Sequence, residues 1–218
     1  MDYKLLNKIR YFVPGVMLYL LLASVCWATG WCALAIPTTW DEALKLGIAA
    51  VLSLPYIASG LRNRMNEFYF EAVNKNLVSG LTEPFKNDPG VPRGLTWQHV
   101  RSTFYHFVNS DDALKHHSQR AYANGALWTS AADLRAISLI GVLIFTLCIL
   151  VGQVLESAQF PAMRALIGIA ACLLLMAISF PLSSKLTQKQ IEIGNEQLEH
   201  IHTHHRDELR TLLSHIQV

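Results

Sequence analysis

Four stretches of this chain, residues 11–36, 43–61, 136–155 and 165–184, run almost without charge for the width of a bilayer. A helix rises about 1.5 Å per residue, so a hydrocarbon core of roughly 30 Å takes about 20 apolar residues to cross. Only Lys45 interrupts them, close enough to an end to snorkel. Lipid offers no partner for a bare peptide group, so segments of this kind must be helices. The expected fold is therefore all-α, a polytopic membrane protein with four transmembrane helices. Pro55 and Pro181 are expected to kink or end their helices. The chain as a whole is only 16% charged, against roughly 25% in soluble domains.

The first run resembles a secretion signal, with Ala33-Leu34-Ala35 placed like a cleavage site. It is far longer than the roughly 7–15 residues of a signal core, so it is expected to stay as a span. Sixteen of the eighteen basic residues lie before the first span, between the second and third, or after the fourth; only Lys45 and Arg164 border the other side. The positive-inside rule then puts both termini and the middle segment in the cytoplasm. Trp27, Trp31 and Trp40 fall at the outer end of the first hairpin, as interfacial tryptophans do. The outer loops, 37–42 and 156–164, are short. Four parts follow: a first hairpin (1–61), a cytoplasmic helical domain (62–135), a second hairpin (136–184) and a C-terminal cytoplasmic helix (185–218).

The middle domain reads as short helices. Met65, Phe68, Tyr69, Ala72 and Leu77 keep helical spacing, so the second span is expected to continue into the cytoplasm. Residues 83–94 are dense in Pro, Gly, Asn and Asp and predict a loop. Thr96 caps a helix whose Trp97, Val100, Phe104 and Phe107 share a face. Ser110 or Asp111 caps the next, with a stop at Asn124-Gly125 and a new start at Thr129 or Ser130. In the tail, Leu198, Ile201, His205, Leu209, Leu212 and Ile216 form one seam of coiled-coil spacing. A seam of about three turns is marginal alone, so it must bury against the middle domain or other copies; self-association is the favoured use. Gly194 is the expected break before it.

Enzymatic constellations are scarce: no phosphate loop, no His-Glu-x-x-His and no nucleophile elbow occur. No catalytic residue, cofactor or metal site is expected. Asp112 and His116, with Asp111 and His117 beside them, supply two ligands where a catalytic zinc needs about three. The run from His200 to His205 has no evident carboxylate or cysteine framework and reads as a pH-sensitive helix face. Cys26, Cys32, Cys148 and Cys172 sit in apolar runs, as buried thiols do. Small residues one turn apart (Ser24, Ala28 and Cys32; Ala43 and Gly47; Gly168 and Cys172) favour close helix packing. A single copy has no polar lumen, so a pore would need a ring of subunits. Its candidate lining is Ser24, Thr29, Ser138, Thr146 and Gln153. Arg93, Arg101, Lys115, His116, His117 and Arg120 lie among aromatics in the middle domain, a pattern suited to a nucleotide or single-stranded nucleic acid; a basic surface facing anionic lipid fits equally.

Two hairpins around a small helical domain, with the blocks Phe104-Tyr105-His106-Phe107-Val108-Asn109-Ser110-Asp111 and Asn124-Gly125-Ala126-Leu127-Trp128-Thr129-Ser130-Ala131-Ala132-Asp133, resemble the membrane ion-channel effectors of bacterial anti-phage defence, of the Hailong type. That resemblance implies a homo-oligomeric inner-membrane channel. It also implies gating by DNA oligomers from a partner nucleotidyltransferase, with depolarisation when the ligand is lost. The alternative from layout alone is a non-catalytic membrane anchor or assembly subunit.

Overall fold

The computed structural model describes residues 3–30, 45–154 and 162–216. Its long elements are α1 (Tyr3–Thr29), α2 (Lys45–Ala58), α3 (Leu61–Thr82), α4 (Trp97–Ser110), α5 (Asp112–Val154), α6 (Ala162–His204) and α7 (Arg206–Ser214). A single 3-10 turn, Glu83–Phe85, follows α3, and no strand occurs among the described residues. Among the described residues, three helices are long and apolar enough to cross a membrane: α1 from Arg10 to Thr29, α5 and α6.

The expected second span is not among those three. Helix α2 has 14 described residues, about 21 Å of rise, and it ends at Ala58. Gly60 then takes φ 68°, a left-handed turn that glycine makes without a Cβ clash. The continuous passage into the cytoplasm expected from helical spacing is therefore broken at Ser59-Gly60. Gly30, at φ 68°, likewise ends α1, its N–H reaching the Cys26 carbonyl at 2.9 Å. Helix α1 thus ends at Thr29, and the remainder of the expected first span, 31–36, lies outside the described residues. Trp31, Cys32, Trp40, residues 31–44 generally and 155–161 lie outside the described residues, and with them the outer loop 37–42 and most of 156–164.

Two compact units divide the chain. The apolar unit comprises Asp2–Asn66 and Trp128–Ser183; the polar unit comprises Glu67–Leu127 and Ser184–Val218. In the apolar unit, α1 packs along α2, and Leu21, Ala28, Tyr56, Ala136, Ile137, Phe145, Ala165 and Cys172 form the core. Close approach is built in by glycine. A Cβ on Gly168 would lie 2.6 Å from the Phe145 ring, and one on Gly141 the same distance from Cys172 Sγ. The paired small residues Gly168 and Cys172 are thus used for packing inside one chain. Only 17% of the most apolar window of α6 is buried, and Met163, Leu166, Ile167 and Leu174 are exposed on it. Pro181 does not end α6, which continues to His204.

Cys26 departs from the buried-thiol expectation: it is held in a disulfide, whereas Cys148 and Cys172 are free and buried. Helix α5 corrects two further readings. It passes through Asn124-Gly125 with no stop, and no new helix starts at Thr129 or Ser130. Asn124 is buried, and its Nδ2 donates to Leu186 O at 2.9 Å and Gln190 Oε1 at 2.8 Å. The amide that would favour a helix end is taken up by α6 instead.

Candidate functional site

The polar unit carries the one group of ligand-type side chains that converge among the described residues. Asp111 separates α4 from α5, and its carboxylate works on two sides. Oδ1 accepts the Ala113 and Leu114 N–H groups at 2.8 and 3.3 Å, capping α5. Oδ2 meets His200 Nε2 at 2.8 Å and His205 Nε2 at 3.0 Å. His200 comes from α6, four residues before its end at His204. His205 is the joint where α6 ends and α7 begins, with φ −128° and ψ 24°. The three side chains are half-buried, and their ligand atoms lie within 4.8 Å of one another.

Further groups surround this triad. Glu208 faces His205 Nδ1 at 3.5 Å and His106 Nε2 at 3.0 Å. The His205 ring lies 5.3 Å from that of Phe107, and the His200 ring lies 4.5 Å from that of His204, tilted by 47°. Hydrogen bonds from His205 first, then His200, hold the Asp111 carboxyl far below the usual carboxylate range. His106, and to a lesser extent His205, lowers Glu208 despite its partial desolvation. An imidazole facing carboxylates at both nitrogens donates to both only as imidazolium, or gives up one nitrogen to a metal.

The Asp112–His116 pair does not converge, whereas two histidines of the His200–His205 run do, with Asp111. Asp112 pairs with Lys115 at 2.6 Å, and His116 is exposed. His117 and Arg120 instead share Glu196 Oε2, at 3.0 and 2.8 Å. The acid missing from the His200–His205 run is Asp111, about ninety positions upstream; the sequence signal was its capping role beside that histidine run.

The other candidate sets are also redistributed. Of the six ligand-binding candidates, Lys115, His117 and Arg120 are paired with acids, while Arg93, Arg101 and His116 are exposed, with Arg93 in the 83–94 loop. An incoming phosphate would compete with Glu196 and Asp112 at half of them. That loop is pinned by Arg210, whose Nε donates to Asp88 Oδ2 at 2.5 Å.

The tail seam is filled by its own chain. Leu198, Ile201 and Leu209 are buried in the polar unit, Leu198 against Gly80. His205, Leu212 and Ile216 are half-buried, and Leu213 takes the buried place in α7. Side chains that fill a subunit's own core are not free to join copies, so the self-association seam is corrected to an intramolecular one. The chain bends at His205 rather than at Gly194, which sits inside α6 where a Cβ would press on Leu77 at 3.1 Å.

In the apolar unit, Thr29 and Ser138 are buried, so neither can line a pore between subunits; Ser24, Thr146 and Gln153 are exposed. Ser24 and Thr146 donate to their own helices, at Leu20 O and Val142 O, 2.8 and 2.7 Å. A cavity of about 320 Å³ lies between α1, α5 and α6, lined by apolar side chains with only Ser24, Ser138 and Arg164 polar. It is no aqueous conduit. The unit's buried charge is elsewhere. Asp133, 1% exposed, binds Arg62 Nε at 2.6 Å and accepts the Tyr56 hydroxyl at 2.8 Å. Arg135 donates to Ser183 Oγ, Met65 O and Ser179 Oγ at 2.5, 2.7 and 3.2 Å, with its guanidinium 4.4 Å from the Phe180 ring centre.

No family model, curated protein or solved structure matches this chain.

Proposed function

We propose that this is a multi-pass protein of the bacterial inner membrane with four spans and both termini cytoplasmic. In this reading it assembles as a homo-oligomeric ion channel whose cytoplasmic helices hold it shut. The observation that carries the reading is the continuity of α5 and α6. Each has 43 residues and no loop between its polar and its apolar segment. A rearrangement of the polar segment is then passed along an unbroken backbone to the membrane segment. The exposed apolar surface of α6 supports lipid or neighbouring copies as its surroundings. The disulfide at Cys26 supports the orientation, since it lies near the end of α1 away from Arg10, where the periplasm is oxidising.

Conduction between copies would use Ser24, Thr146 and Gln153, the candidates that remain on the outer surface of the unit. A nucleotide or DNA oligomer, as the resemblance to defence effectors implies, would first meet Arg93 and Arg101. A partner nucleotidyltransferase would be its source. The test is a potential-sensitive dye in cells and ion flux after reconstitution into vesicles. The reading expects depolarisation on overexpression, and flux that depends on protein. No flux, together with a stable hetero-complex on mild extraction, would favour the anchor or assembly-subunit reading instead.

A further inference from the structure

We propose that Asp111, His200 and His205 bind one divalent transition-metal ion of the zinc class, clasping the start of α5 to the joint between α6 and α7. The donor set is two imidazole nitrogens and one carboxylate oxygen. Such donors suit zinc and its first-row neighbours and discriminate against magnesium and calcium, which take oxygen.

The geometry is close to what binding requires. Tetrahedral ligands about 2.05 Å from zinc stand about 3.3 Å apart. The two imidazole nitrogens now approach Asp111 Oδ2 at 2.8 and 3.0 Å. The two Nε2 atoms lie within 4.8 Å of each other, so side-chain shifts of up to about 1.5 Å bring all three donors to that spacing. Both nitrogens aimed at that space are Nε2, so each ring offers the same edge.

Two features beyond the triad favour a cation there. Glu208 stands at His205 Nδ1, where a carboxylate fixes the tautomer that leaves Nε2 free to ligate. His200 lies four residues before the end of α6 at His204, near the negative end of that helix dipole. The opposite partial charge at the start of α5 is met by the second oxygen of Asp111. The triad is 18–25% exposed, so a fourth position stays open to water. The ion would therefore exchange with solvent. Binding does not depend on the pore reading.

The test uses the full chain in detergent, purified by a tag without histidines and stripped with chelator, then titrated with zinc against a chromophoric competitor. One tight equivalent per chain is expected. H200Q/H205Q should lose it. D111N should weaken it at least tenfold while keeping the helix cap, since asparagine caps as well as aspartate. E208Q should weaken it roughly 10–100-fold, and H116A/H117A should leave it unchanged. Cobalt(II) should give visible d–d bands in the wild type that zinc abolishes, which keeps the test decisive even where a variant misfolds. Zinc uptake by the wild type no greater than by H200Q/H205Q, or equal loss in H116A/H117A, would overturn the site. Flux measured in parallel reports on the pore reading separately.

Discussion

The two units both gather charged side chains around a carboxylate, and they do so in opposite surroundings. Asp133 is sealed among Arg62 and Tyr56 in the apolar unit. Asp111 sits half-open between two histidines in the polar one. A buried ion pair has been removed from water, so taking away one partner strands the other at high cost. A partly exposed cluster trades protons, water or ions with solvent at little cost. The first arrangement holds a shape; the second can respond.

The largest expected effect tests the first half of this contrast. Arg62→Ala should leave Asp133 without its cation and lower the stability of the apolar unit by about 3–5 kcal/mol, read by denaturant titration in detergent. A loss below 1 kcal/mol would mean that Asp133 is better hydrated than its burial indicates. Ile201→Ala, in the core of the polar unit, should cost about 2–5 kcal/mol, seen as earlier loss of hydrogen-exchange protection in 184–216. If Ile201 instead joined copies, the same change would lower oligomer mass and leave protection intact. Gly168→Ala should cost about 1–3 kcal/mol by forcing the Phe145 ring aside; an unchanged melting temperature would show that the helices can part freely.

The smallest effect concerns the exposed pair Arg210–Asp88. Arg210 first, then the Gly90 N–H, lowers Asp88 below the usual carboxylate value. The folded-state pKa is depressed, so this contact contributes above about pH 3.9 and fades as pH falls through the lower folded value. Arg210→Ala should raise the Asp88 titration midpoint in a carboxyl NMR experiment with little change in stability. No shift would place the two side chains apart in solution.

Three of the four expected apolar rods were readable because length without charge admits one solution in lipid, and the Thr96 cap, with the choice of Ser110 or Asp111 for the next helix, was readable because capping is local. The structure pairs Thr96 N with His99 Nδ1 at 3.1 Å and places Asp111 at the head of α5. Helix breaks were harder. Asn124-Gly125 and Gly194 carry local stop signals that contacts with α6 and Leu77 override. The true break at His205 has neither proline nor glycine to announce it. The His–Asp cluster was hidden for another reason. Its members meet only after the chain has passed through two long helices, so no spacing rule links Asp111 to His200. The seam of the tail was correctly seen as apolar, but spacing cannot say whether the partner is a second copy or an earlier part of the same chain.

Arg135 has a consequence for substitution. Its flat guanidinium bonds at once to a peptide carbonyl on the α3 side and to two hydroxyls of α6, and it lies by an aromatic face. A lysine keeps the positive charge but ends in a single compact head, unable to span those directions together. Retaining the charge there would not retain the brace, and a conservative-looking exchange would act as a deletion.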